Sequence, residues 1–130
     1  KYPYPGCRAF TYYGPRSMSV DMVSLERKYG PLPTRLKEQN PFWNHQLYLT
    51  LTGTAPVAQA HRLFLFARDY SFMSLVMLVG FGIAASFTMP ATTAVAYALL
   101  LFAQWVLAAN AARVGGQRLV TIVLARSAGQ

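Results

Sequence analysis

Three side chains in this chain of 130 residues have the chemistry of a nucleophile, a general base or a soft metal ligand: Cys7, His45 and His61. A cysteine and a histidine held within hydrogen-bond reach could form an activated thiolate. Zinc asks for about four Cys, His or carboxylate ligands, usually in closely spaced pairs. Cys7, His45 and His61 are scattered, and neither histidine has a companion at metal spacing. Haem on either histidine would lie outside the apolar stretches, where a membrane haem is not expected. Glu26 is a lone acid among bases and reads as an ordinary surface charge. Phosphate-cradling loops of the GxGxxG or GxxxxGKS/T type do not occur. Gly80-Phe81-Gly82 lies inside an apolar run, and Gly115-Gly116 has no lysine after it. No catalytic residue, metal or cofactor is therefore predicted. With one cysteine, no disulfide can form within these residues, which fits a reducing compartment.

The element that must position everything else is the run at 70–112, which holds no Asp, Glu, Lys, Arg or His. A hydrocarbon core about 30 Å thick takes about 20 apolar residues of helix. The run is about twice that length. It is interrupted by Ser86-Phe87-Thr88-Met89-Pro90, and proline both lacks an N–H and disfavours helix in the residue before it. Two spans are expected, at about 71–88 and 91–110, hinged at Pro90. Helices of a soluble protein return polar residues to the solvent face every three or four positions. Here 74–81 and 94–102 are apolar all round.

Lysine and arginine number 12 against 4 acids, a net charge of +8. Such a balance points to nucleic acid or to anionic lipid. Arg62, Arg68 and Tyr70 precede or open the first span, and Arg113 and Arg118 follow the second, so anionic headgroups are the expected partner and nucleic acid is not. Both flanks are basic and the turn at Pro90 is not. The positive-inside rule then puts both termini in the cytoplasm, with the cytoplasmic (inner) membrane as the location. The chain begins at Lys1 and not at Met, so either further residues are expected upstream or the chain is processed, and its start shows no signal-peptide pattern. An earlier membrane segment would leave the hairpin's orientation unchanged.

Around the hairpin the predicted elements are short. Residues 1–16 hold Pro3, Pro5, Gly6, Gly14 and Pro15 among five aromatics, and read as an irregular arm lying on its own domain, a partner or the membrane interface. Residues 17–30 read as a helix with Ser19 as N-cap and Gly30 just past its end, Met22, Leu25 and Tyr29 sharing a face. Thr34 is a candidate cap for a turn or two. Asn40-Pro41 then suits the start of a new helix carrying Trp43, Leu47 and Leu51 on one face and ending at Gly53. The alternation of Leu47, Leu49 and Leu51 with polar residues is strand-like, but no partner strand is in sight. Pro56 can open a helix that runs unbroken to Phe87. Asp69 needs a partner near the interface, with Arg62 and Arg113 as candidates, or solvent at headgroup level. Gly115-Gly116 reads as a break, followed by an amphipathic segment bearing Leu119, Val120, Val123 and Leu124. The implied regions are 1–55, 56–112 and 113–130.

Small residues recur four apart in the spans: Gly80 and Ala84, Gly82 and Ser86, Ala94 and Ala98, Ala108 and Ala112. That spacing lets helix backbones approach closely in lipid, within the hairpin or against another chain. Gln104 is the one amide well inside a span and is expected to hydrogen-bond across helices. A proton path would need several ionisable groups at depth, and there are none. The expectation is an all-α integral membrane protein: a two-helix transmembrane hairpin with short cytoplasmic helices and an irregular aromatic arm. Its expected role is that of a non-catalytic accessory or scaffold subunit, bound to other membrane subunits or to copies of itself. A homo-oligomeric channel-like or membrane-perturbing effector is the first alternative. A small membrane-bound enzyme using Cys7, His45 or His61 is the second.

Overall fold

Gly30 and Met89-Pro90 mark helix ends here, while Pro41 and Gly115-Gly116 do not. The computed structural model describes residues 4–129, and among them every regular element is helical. Lys1, Tyr2, Pro3 and Gln130 lie outside the described residues. The arm corrects the expectation of irregular chain: it coils through a 3-10 turn at Pro5–Arg8, a π turn at Ala9–Tyr13 and a single α turn at Gly14–Arg16. Pro5 and Pro15 sit in first-turn positions, where the missing N–H has no helical partner to lose. Gly6 permits close approach, since a Cβ there would lie 2.7 Å from Asn40 Oδ1 and 2.8 Å from Trp43 Cε3.

Helix α1 (Met22–Tyr29) starts later than its sequence pattern implied, and its cap is Asp21, not Ser19. Asp21 is in extended conformation and its carboxylate accepts from Val23 N and Ser24 N, while Ser19 only pairs its hydroxyl with Ser17. Gly30 ends the helix at φ 79°, a left-handed conformation that favours glycine. Of the three residues expected to share a face, Leu25 is fully buried and Met22 and Tyr29 are half-buried.

Helix α2 begins at Leu36–Phe42, widens into a π turn at Trp43–Tyr48 and closes with Leu49–Leu51. The helical reading of this segment holds over the strand alternative, and Trp43, Leu47 and Leu51 are its buried face. Two boundary expectations fail. Arg35, not Thr34, occupies the N-cap position, and Pro41 lies inside the helix instead of starting one. Proline removes one i→i−4 bond and crowds the preceding turn. The chain stays helical by widening directly after it, the usual form of a π bulge.

Helices α3 (Ala55–Thr88) and α4 (Ala91–Ala128) meet at Met89-Pro90, where the sequence placed the hinge. At the turn Met89 N donates to Ala85 O and Ala94 N to Pro90 O, both at 3.0 Å. Gly115-Gly116 does not break α4, and the amphipathic segment beyond it is the last part of the same helix. A Cβ on Gly115 would come to 3.5 Å from Phe64 Cα, so the glycine lies where a neighbouring helix backbone approaches. Tertiary packing overrides the helix-breaking tendency of glycine, a penalty of about 1 kcal/mol per residue.

The chain divides into two compact units, one of Lys1–Arg62 with Gly116–Gln130, the other of Leu63–Gly115. The first has a conventional core whose fully buried side chains include Leu25, Leu47, Val57, Val120, Val123 and Leu124. The face of Leu119, Val120, Val123 and Leu124 is thus packed inside this unit. The second unit is the apolar hairpin.

Candidate functional site

The apolar hairpin is the feature most in need of a functional account. Both α3 and α4 are long and apolar enough to cross a membrane, their best windows of 18 residues having mean hydropathies of 1.8 and 1.7 with only 11% buried. At 1.5 Å per residue each helix is roughly 50 Å long or more, well beyond a hydrocarbon core of about 30 Å. The buried positions within this unit are Ser74, Ala85, Leu101 and Ala108. Three of these four are small, as close packing between helices in lipid favours. Large side chains face outward, among them Phe72, Val79, Phe81, Ile83, Phe87, Leu99 and Leu107.

Polar atoms in the hairpin are few and mostly satisfied locally. Gln104 Nε2 donates to Tyr70 Oη at 3.2 Å, joining residues 34 apart in sequence. Ser86 and Thr88 donate their hydroxyls to Ile83 O at 2.6 Å and Ala84 O at 2.9 Å. Ser74 Oγ is buried without a hydrogen-bond partner. Tyr70, Gln104, Leu100, Ala103, Leu107 and Ala108 help to line an open groove of about 510 Å³. Its walls are apolar apart from the phenol–amide pair, so it offers shape and one polar anchor, not acid–base chemistry.

Of the residues singled out for helix packing, Gly80 and Gly82 are not used for close approach within the chain. A Cβ on either would meet nothing within 4 Å. Ala84 and Ser86 are exposed, while Ala94 and Ala98 are half-buried. The small patch of Gly80 and Ala84, one turn apart, is therefore open, and Ser86 is exposed on the other side of the helix. Among the residues singled out for lipid headgroups, Arg62, Arg68, Tyr70, Arg113 and Arg118 are all exposed. Asp69 pairs with its neighbour Arg68, Nη2 to Oδ1 at 2.9 Å, and not with Arg62 or Arg113. Adjacent residues on a helix diverge, so this pair is an exposed one of small energetic weight.

The residues with catalytic potential are engaged separately. Cys7 is buried. His45 Nδ1 donates to Pro41 O at 2.9 Å, a bond that fixes the proton on that nitrogen. His61 Nδ1 pairs with Tyr48 Oη at 3.1 Å, and the Tyr48 ring stacks on Trp43 at 5.2 Å between centroids. Burial pushes the Tyr48 hydroxyl above its ordinary range. Among the described residues no group of three or more His, Cys, Asp or Glu could hold a metal ion.

A residue that sequence patterns did not mark out organises the first unit. Gln39 is fully buried. Its Oε1 accepts from Phe10 N at 3.1 Å, and its Nε2 donates to Thr34 O at 2.9 Å and Thr11 Oγ1 at 3.0 Å. One amide thus ties the arm to α2. It sits in the polar run Thr34-Arg35-Leu36-Lys37-Glu38-Gln39, where nothing in composition distinguishes it from its exposed neighbours.

No protein-family model matches the chain, and neither a curated protein nor a solved structure matches it.

Proposed function

We propose that this chain is a membrane-anchored accessory or scaffold subunit without catalytic chemistry of its own, held in the cytoplasmic (inner) membrane by the hairpin of α3 and α4. Both termini lie in the cytoplasm. Arg62, Arg68, Tyr70, Arg113 and Arg118 meet anionic headgroups, where arginine can extend to the interface and tyrosine is enriched. The hairpin packs against other membrane subunits through the open small-residue patch of Gly80 and Ala84. The observation that carries this reading is the hairpin's exposed apolar surface, without Asp, Glu, Lys, Arg or His from 70 to 112. A surface of that kind is costly in water and costless among lipid tails.

Gentle detergent extraction followed by mass measurement of the native particle tests the role. A complex of this chain with other polypeptides is expected. A closed ring of identical chains would replace the subunit role with that of a homo-oligomeric, channel-like protein. Cysteine accessibility at Thr88–Thr93 tests the orientation, since labelling from the cytoplasmic side would reverse it.

A further inference from the structure

The N-terminal arm carries an exposed face that anchoring by the hairpin does not explain. Arg16 Cζ lies 3.8 Å from the centroid of the Tyr12 ring, and Arg8 Cζ lies 6.0 Å from the same centroid. Spacing of four residues brings the three side chains to one side of successive helical turns. All three are exposed. Met18 follows with its side chain wholly in solvent, and Val23 is exposed beyond it. No acid precedes Asp21, and the Asp21 carboxylate is turned onto the first amides of α1. The two guanidiniums are therefore unneutralised by anything in their own segment. Guanidinium is suited to forked hydrogen bonds with phosphate and carboxylate oxygens. A tyrosine ring belongs where one side is apolar and the other wet. A thioether standing clear of the surface leaves water only by entering something apolar.

The geometry points to a second lipid contact: the Arg8–Tyr12–Arg16 ladder rests on the headgroups of an anionic bilayer, with Met18 dipping below them. This contact rests on the membrane role proposed above. Charge selects the occupant, because an uncompensated pair of arginines beside a protruding apolar side chain matches phosphatidylserine-type headgroups over acyl chains. Tethering contributes too. A chain anchored in the bilayer holds its remaining parts at high effective concentration over that surface, so a weak contact is populated.

The full chain is reconstituted into vesicles of phosphatidylcholine, with or without phosphatidylserine. An environment-sensitive fluorophore is placed on Met18→Cys or, separately, on Leu99→Cys, and spin-labelled lipid serves as the quencher. Cys7 is buried, and the unsubstituted chain reports any labelling there. The Met18→Cys probe should be quenched in phosphatidylserine vesicles and lose that quenching in phosphatidylcholine alone or with Arg8→Gln and Arg16→Gln together. The Leu99→Cys probe should be quenched throughout. A Met18→Cys probe that stays in water while the Leu99→Cys probe is quenched overturns the contact alone, and an acidic protein surface then becomes the partner of the ladder. Equal quenching in both lipids overturns the role of the arginines. An unquenched Leu99→Cys probe removes the membrane role and this contact with it.

Discussion

The two units sort the same residue types in opposite ways. In Lys1–Arg62 with Gly116–Gln130, the interior is built of leucine and valine: Leu25, Leu47, Val57, Val120, Val123 and Leu124 have no exposed surface, although Val23, Leu36 and Leu49 remain outside. In Leu63–Gly115 the interior holds Ser74, Ala85, Leu101 and Ala108, while Phe87 is 85% and Leu107 72% exposed. Helix propensity does not separate them, since both are helical. The surroundings do. Burying a leucine or phenylalanine away from water is worth about 1.5–3 kcal/mol, a gain the second unit forgoes at most of its large side chains. Under the proposed membrane role, lipid tails remove that incentive and leave close contact between small residues as the means of pairing helices.

One substitution made in both units is the most direct way to break this contrast. Leu47→Ala opens a cavity in the first core and should cost about 2–5 kcal/mol, as core truncations do. Leu107→Ala removes a side chain that already stands outside and should change stability by about 0.5 kcal/mol or less. Chemical denaturation in detergent, followed by a probe in each unit, measures both. Equal effects would mean that the two units share one kind of core.

A charge on the outer face of the hairpin tests the surroundings themselves. Val79 is exposed near the middle of the first apolar segment. In water, Val79→Asp would be an ordinary surface change. At the centre of a membrane helix, Asp costs about 2.5–3.5 kcal/mol of insertion free energy. A loss of membrane-integrated protein, read with an insertion reporter, is the expected outcome. Unchanged yield together with improved solubility would remove the lipid surroundings from the account.

How the sequence could and could not announce this arrangement follows from the same contrast. A stretch without charge and a single proline at its centre are local features, and they located the hairpin and its turn at Pro90. The features that were illegible depend on neighbours distant in sequence. Gly115-Gly116 has the look of a break, yet Gly115 lies where the Phe64 backbone approaches. Pro41 is a helix starter by local rule and a mid-helix residue in fact. Gln39 can be recognised only once the arm is folded over it. The open space around Gly80 and Gly82 was equally hidden, because small-residue spacing shows that a close approach is possible and not which helix makes it.

Gln39 supports a prediction of intermediate size. Gln39→Leu keeps the volume but leaves the Phe10 N–H and the Thr34 carbonyl without their partner. An unsatisfied buried polar group costs about 1–3 kcal/mol. The loss should appear in the first unit, as faster hydrogen exchange in the arm and α2, while the apolar hairpin keeps its protection. Even loss of protection in both would show that they unfold as one body.

The smallest expected effect concerns pH, and it too should be confined to one unit. Asp21 is held below the usual carboxylate range, first by the hydroxyl of Ser24, which donates to Oδ2 at 2.6 Å, then by the backbone amides of Ser24 and Val23. Because its folded pKa is depressed, the contribution of Asp21 is fully present above the ordinary carboxylate value. It is lost as pH falls through the folded value. Below that point the start of α1 should fray, seen as a shift of the Ser24 amide resonance with acid. Asp21→Ala should abolish the titration and leave α1 frayed at neutral pH. Residues 70–112 hold no acidic or basic side chain apart from the phenols of Tyr70 and Tyr97, so acid has nothing to titrate there. Asp69 is the one carboxylate of the second unit, so a matching acid transition there that persists in Asp69→Asn would mean that the two units are coupled.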